Sequence, residues 1–129
     1  MSCDEPPPPA LLEGIAQFNR GEFFEQHETL ELLWRAERRD IRFLYQGILQ
    51  IGVGLHHARG GNHRGAILLL GDGIAKVSRF LPECQGVQTG PLVLAAQRCL
   101  DQVIELGPDR LSGFDWSQVP VISFAGTST

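Results

Sequence analysis

Residues 23–34 read FFEQHETLELLW, a stretch that places a histidine on a helix face expected to be apolar. At about 100° of rotation per residue, one narrow stripe of this helix carries Phe23, His27, Leu30 and Trp34, with Glu31 at its edge. A stripe of this kind packs on a core, so we expect His27 and Glu31 to be at least partly buried. Because buried polar groups are costly without hydrogen-bond partners, we expect other polar side chains to meet them.

The rest of the chain continues the helical pattern. Apolar residues recur at helical spacing in five segments, which are residues 10–19, 22–38, 41–59, 63–81 and 91–106. The third segment is apolar nearly all round, as expected of a helix in the middle of a bundle. We therefore predict an all-α fold, a single multihelical bundle of about five helices in which helices two and three form a central antiparallel hairpin.

The two ends of the chain differ from the bundle, which we assign to residues 10–107. Residues 1–9 form a proline-rich lead-in that cannot enter a helix interior. Residues 108–129 include Phe114, Trp116 and Ile122, a composition too apolar for a disordered tail. We expect this C-terminal strap to lie across the bundle or to contact a partner.

Few polar residues interrupt the third segment. Gln46, Gln50 and His57 lie within about 40° of one another on the helical wheel, flanked by Gly47 and Gly54. Glycine is costly inside a helix, so these two glycines predict that a neighbouring helix or a ligand approaches the backbone closely. In an antiparallel hairpin, residues equally far from the turn face each other, which brings the Gln46–Gln50 region opposite His27 and Glu31.

Composition limits the classes of function. A chain of 129 residues with 43% hydrophobic content fits one soluble globular domain. The net charge of −4 argues against a nucleic-acid surface, which is normally basic. No apolar run approaches the roughly 20 residues of a membrane-spanning helix. We predict neither a nucleic-acid partner nor a membrane.

The cysteines predict little chemistry. Cys3, Cys84 and Cys99 are odd in number and widely spaced, with no CxxC pair that would suggest a disulfide framework or a zinc knuckle. The first residues lack the apolar stretch of a secretory signal. We therefore expect reduced thiols and a cytoplasmic location.

The sequence HETLE at residues 27–31 is one residue short of the HExxH zinc motif. His27 and Glu31 are four residues apart on a helix, so both can ligate one divalent metal ion, with His57 as the third ligand. Glu28 is then the candidate catalytic base. Whether the protein is an enzyme is left open.

Two other interpretations use the same residues. A small pocket would bind a small polar ligand through His27, Glu31, Gln46, Gln50, His57 and Trp34, with Phe24 and Phe43 as further aromatic walls. Alternatively, the cluster is a buried hydrogen-bond network that fixes the register of the helices.

A binding function without catalysis is also considered. Gly21 and Gly61 lie in turns that resemble those of tetratricopeptide hairpins, although they are 40 residues apart and such repeats recur at about 34. A helical-hairpin scaffold would bind a protein partner. The apolar tail with Phe114 and Trp116 would alternatively close a homodimer.

Three blocks of the sequence resemble the bacterial and archaeal family called domain of unknown function 309 (DUF309). They are FNRGEFFEQHETLELLW at 18–34, FLYQGILQ at 43–50 and HHARGGNHRGAILLL at 56–70, and the resemblance extends from residue 18 to about residue 82. The resemblance implies a small all-α multihelical domain in the cytosol and implies no activity. Of the two adjacent histidines, the resemblance matches His57, and not His56, to the histidine of the family pattern. Gln26 stands where the family often has alanine, and no role is predicted for it.

Overall fold

The computed structural model describes residues 2–125 and consists of helices. The five α-helices are α1 (Pro9–Asn19), α2 (Phe23–Ala36), α3 (Arg42–Arg59), α4 (His63–Val77) and α5 (Thr89–Leu106). Short 3-10 turns cover Ser2–Asp4, Ser78–Phe80, Leu111–Gly113 and Trp116–Gln118. The predicted all-α bundle is confirmed, and the predicted helix ends differ from the observed ones by a few residues at most positions.

Helices α2 and α3 form the predicted antiparallel hairpin at the centre of the fold. The Arg42 guanidinium at the start of α3 lies 5.4 Å from the ring centre of Trp34, near the end of α2. Further from the turn, the Gln26 side chain reaches the carbonyl oxygen of Leu49. These two contacts fix the register of the hairpin.

Glycines let α3 and α4 approach closely. A Cβ added to Gly47 would lie 3.0 Å from the carbonyl oxygen of Gly73. A Cβ added to Gly54 would lie 2.8 Å from the backbone nitrogen of Leu70. The prediction that Gly47 and Gly54 admit a close neighbour is confirmed, and that neighbour is helix α4. Because glycine has no Cβ, the two helices pack more closely at these positions. This closer packing offsets the conformational cost of placing glycine inside a helix.

The prediction of reduced thiols throughout the chain is wrong, because Cys3 and Cys84 form a disulfide across a sequence separation of 81. The N-terminal segment folds back onto the loop before α5, where the backbone N–H of Gln85 donates to the carbonyl oxygen of Cys3 at 2.8 Å. The spacing of the cysteines in the sequence did not predict this contact. The remaining cysteine, Cys99, is a buried free thiol whose pKa burial raises to about 11.

The loop that carries the disulfide is attached to the core through Tyr45. This fully buried tyrosine of α3 donates a hydrogen bond of 2.8 Å to Oε1 of Gln85. Burial raises the pKa of the Tyr45 hydroxyl. The hydrogen bond between Tyr45 and Gln85 therefore connects helix α3 to the loop that carries the disulfide.

The described part of the strap, residues 108–125, lies against the bundle. Leu111, Phe114 and Ile122 are buried there. The Asn19 side chain pairs with the backbone of Ile122, accepting its N–H at 2.8 Å and donating to its carbonyl oxygen at 3.0 Å. Phe114 packs inside its own chain, whereas Trp116 is 40% exposed, and the homodimer stays a prediction. Residues 126–129, the end of the predicted strap, fall outside the described residues.

Within residues 2–125, no helix has an apolar stretch long enough to cross a bilayer.

Candidate functional site

Three ionisable side chains form a line along α2. His27 Nε2 lies 3.4 Å from Glu31 Oε2, and Arg35 Nη2 lies 2.8 Å from Glu31 Oε1. The residues are spaced four apart, so their side chains stack on one face of the helix. The side chains of His27 and Glu31 are 37% and 29% exposed. The prediction of partial burial is confirmed, but the ionic partners come from the same helix.

A cavity of about 160 Å³ lies beside this line, between α2, α3 and α4. Its lining residues are His27, Glu31, Trp34, Gln46, Leu49, Gln50, Val53 and Leu69. Every residue predicted to bind a ligand is among them except His57. The cavity has a polar side, formed by α2 and the two glutamines, and an apolar side, formed by leucine and valine.

The hairpin register explains why these residues meet. Trp34 packs beside Arg42 close to the turn, and Gln26 packs beside Leu49 further away. His27 and Glu31 lie between those two contacts on α2. They therefore face the part of α3 that carries the two glutamines.

Two polar atoms of the cavity walls have no hydrogen-bond partner among the described residues. They are the indole nitrogen Nε1 of Trp34, a donor, and the amide oxygen Oε1 of Gln50, an acceptor. Both atoms are buried. Leaving a buried donor or acceptor unpaired costs about 1–3 kcal/mol each. The two residues that carry these unpaired atoms both line the cavity.

The hydrogen bonds expected of a register-fixing network are absent from this part of the described chain. No hydrogen bond within residues 2–125 joins Gln46 or Gln50 to His27 or Glu31. The polar contact that does cross from α2 to α3 is made by Gln26 instead. The observed ionic line is internal to α2 and places no constraint on α3.

The structure does not bring His57 to the cavity. Its ring lies beside Asn62, with Nδ1 3.4 Å from the Asn62 amide nitrogen. His57 is seven residues beyond Gln50, about 10 Å further along α3 at 1.5 Å per residue. No group of three or more His, Cys, Asp or Glu side chains among residues 2–125 is arranged to hold a metal ion. The three-ligand metal site predicted from His27, Glu31 and His57 is therefore not assembled.

Other predicted residues also lie elsewhere. Glu28 is exposed and is not among the lining residues of this cavity, but it lines an adjoining surface depression with Glu31, Leu32 and Arg35. Phe24 is exposed. Phe43 stacks with arginine side chains instead, and the Arg79 guanidinium lies 4.8 Å from its ring centre. Of the three predicted aromatic walls, Trp34 alone lines the cavity among the described residues.

Residues 11–69 match the family model described as domain of unknown function DUF309. This segment of the chain is a DUF309 region. The resemblance inferred from the three sequence blocks is confirmed, with a segment that begins before residue 18 and ends before residue 82. No curated protein and no solved structure gives a match.

The cavity lies entirely within the DUF309 segment. All of its lining residues fall between His27 and Leu69. By contrast, both cysteines of the disulfide and the whole strap lie outside that segment. The cavity therefore lies in the DUF309 region of this chain, and the disulfide and the strap lie outside that region.

The sequence alone did not indicate a role for Gln26, which is fully buried. Its Nε2 donates to the Leu49 carbonyl oxygen at 3.1 Å, and its amide lies against Gly52. The signal was present, because Gln26 and Gly52 lie at matching positions of α2 and α3 across the hairpin. A long polar residue opposite a helical glycine indicates a side chain that needs room.

Proposed function

We propose that the cavity between α2, α3 and α4 binds a small neutral molecule that carries both a hydrogen-bond donor and an acceptor, such as a primary amide. One observation carries this proposal. Trp34 and Gln50 line the same cavity, and each carries a buried polar atom without a partner among the described residues, the donor Nε1 and the acceptor Oε1. A ligand with one hydrogen-bond acceptor and one donor would pair with both atoms at once.

Size and charge define the class of ligand. A volume of about 160 Å³ is below the roughly 300 Å³ at which drug-sized pockets begin, so the ligand has only a few non-hydrogen atoms. Glu31 is the carboxylate among the described lining residues, and Arg35 already neutralises it at 2.8 Å. A neutral ligand therefore fits better than a cation. The apolar side formed by Leu49, Val53 and Leu69 suits a short alkyl group.

The indole N–H of Trp34 provides a direct measurement. The chain has two tryptophans, so a ¹H–¹⁵N spectrum contains two indole signals, and Trp116 outside this cavity is the internal reference. Titration with propionamide is expected to move the Trp34 signal and to leave the Trp116 signal in place. Butanone, which has an acceptor but no donor, is expected to bind more weakly because Gln50 Oε1 stays unpaired.

The variant Gln50→Leu distinguishes a ligand site from a structural network. If Gln50 serves a ligand, replacing its unpaired buried oxygen with an apolar group abolishes the propionamide shift and leaves the free energy of unfolding unchanged or higher. If Gln50 serves a network, the same change lowers the free energy of unfolding by about 1–3 kcal/mol. Gln97→Leu, at an exposed position on α5, is the matched control.

His27→Ala gives a second test at the mouth of the cavity. We expect weaker propionamide binding with little loss of stability, because the partner of His27 is a partly exposed carboxylate on its own helix. Absence of any Trp34 shift with millimolar propionamide, together with a destabilised Gln50→Leu, would contradict the proposal. A non-catalytic helical scaffold would then be the better description of this protein.

A further inference from the structure

A second cavity lies between the α1–α2 turn, the end of α3 and the strap, and it encloses about 370 Å³. This volume falls within the range of roughly 300–1,000 Å³ that is typical of small-molecule sites. Most of it is built by elements other than those around the first cavity. Its floor includes the buried rings of Phe18 and Phe23.

The strap wall of this cavity is anchored. Asn19 binds both the N–H and the carbonyl oxygen of Ile122, which follows directly on the lining residues of the strap. Further along, the Gln88 N–H donates to the Ser123 carbonyl oxygen at 2.9 Å. The two walls are therefore joined by hydrogen bonds, and the cleft between them has a defined shape.

The charged residues that line this cavity are all basic. Two arginines, Arg20 and Arg59, and no carboxylate are among the described lining residues, although the whole chain carries a net charge of −4. Glu22 neutralises Arg20 through a pair of contacts at 3.0 and 3.1 Å. The charge of Arg59 has no such counterion within residues 2–125.

The Arg59 guanidinium is held in position without losing its charge. Its Nη1 donates to the carbonyl oxygen of Gly21 at 2.9 Å, and its central carbon lies 5.0 Å from the ring centre of Phe23. Only one of its nitrogens is used by these contacts. The remaining N–H groups present the planar fork that pairs with a carboxylate.

The strap contributes an accessible aromatic ring. Trp116 lines the cavity and is 40% exposed, and its ring packs edge-on against Phe114 with 4.7 Å between the ring centres. Aromatic rings stack favourably on such a surface. The cleft therefore combines an oriented cation with an aromatic wall.

A larger cavity lacks this selectivity. It encloses about 550 Å³ near the disulfide, and its lining includes Arg79 together with Asp40 and Glu83. Mixed charges of this kind favour neither an anion nor a cation. The cleft beside the strap is therefore the better candidate for a defined class of ligand.

We propose that this cleft binds a small organic anion with a planar aromatic ring, its carboxylate on Arg59 and its ring against Trp116. This proposal is independent of the one for the first cavity, because the two sites have no lining residue in common. It gives the strap a role as one wall of a ligand site.

Benzoate and its neutral counterpart benzamide are the probes. Titration with benzoate is expected to shift the indole signal of Trp116 and not that of Trp34, and the affinity should fall as salt is added. Benzamide should bind at least about tenfold more weakly, because it cannot form the charge-assisted pair with Arg59.

Arg59→Gln should weaken benzoate binding by about tenfold or more. Arg98→Gln, at an exposed position on α5 outside the cavity, should leave binding unchanged. If Arg59→Gln does not give the spectrum of the folded protein, Trp116→Leu is tested instead. Calorimetry should then show weaker benzoate binding by Trp116→Leu. No Trp116 shift with millimolar benzoate, equal binding of benzamide, or unchanged binding by these variants would overturn the proposal.

Discussion

The side-chain amide of Gln26 donates a hydrogen bond of 3.1 Å to the carbonyl oxygen of Leu49, across the interface between α2 and α3. Gly52, three residues further along α3, has no Cβ, and the same amide occupies the space that a Cβ would fill. This buried contact sets the distance and the register of the central hairpin. It therefore determines which residues of α3 face His27 and Glu31.

Gly52→Ala is expected to destabilise the protein although alanine is the better helix former. The new Cβ collides with the Gln26 amide, and overpacking of this kind costs about 1–3 kcal/mol. Urea unfolding measures the change. In the Gln26→Ala background the collision disappears, so the same Gly52→Ala change should cost less or become favourable.

Gly71→Ala is the matched control for that substitution. Gly71 lies inside α4, and a Cβ added there meets no atom within 4 Å. Because alanine is favoured over glycine in a helix, this change should raise the free energy of unfolding by up to about 1 kcal/mol. Equal effects of the two substitutions would show that the Gln26–Gly52 contact is unimportant.

Reduction of the disulfide is expected to destabilise the fold. The Cys3–Cys84 bond closes a loop with a sequence separation of 81, and the loss of such a constraint costs up to about 4 kcal/mol. Urea unfolding with and without dithiothreitol measures this loss, and Cys3→Ser should no longer respond to the reductant. Unfolding without reductant should expose one reactive thiol per chain, that of Cys99; three would contradict the disulfide.

The hydroxyl of Tyr45 should ionise only at strongly alkaline pH in the native protein. It is the single tyrosine of the chain, so ultraviolet absorbance follows it alone. Burial raises its pKa above the ordinary value of 10.0. The native state then retains the proton longer than the unfolded state, so stability is full below pH 10 and falls as the pH rises further. Titration at an ordinary pKa in the native protein would contradict this burial.

Glu37 is expected to contribute to stability in acid. Hydrogen bonds from Arg39 lower the pKa of this carboxyl from its ordinary 4.5 to about 2. Its contribution is therefore complete above pH 4.5 and is lost as the pH falls towards 2. The difference in melting temperature between Glu37→Gln and the parent should shrink over that interval. A difference that stays constant between pH 4.5 and pH 2 would contradict this contribution.

The sequence predicted the fold well because helical periodicity and hairpin geometry are local. The apolar spacing located five helices, and equal distances from the α2–α3 turn placed Gln46 and Gln50 opposite His27 and Glu31. His57 was misplaced for a related reason. A helical wheel compares angles around the axis and carries no information on depth along it, and His57 lies about two turns too far away.

The remaining differences depend on contacts between distant parts of the chain. The pairing of Cys3 with Cys84 requires the N-terminal segment to fold back on the loop before α5, and neither segment has a periodicity that predicts this. Phe43 was expected at the cavity, but two arginines hold its ring in a stack. Such stacking depends on how far the arginine side chains extend in the folded protein. The spacing of residues in the sequence does not determine this.

The bond between Cys3 and Cys84 makes a closed covalent ring of the chain between them, and the DUF309 segment at residues 11–69 lies wholly inside that ring. One protease cut in any of the enclosed turns therefore leaves the molecule in a single piece. Tension applied to residues outside the ring passes through the two sulfur atoms and bypasses α1 to α4. The part of this protein that contains the cavity is thus shielded from pulling, and a single cut within it releases no fragment.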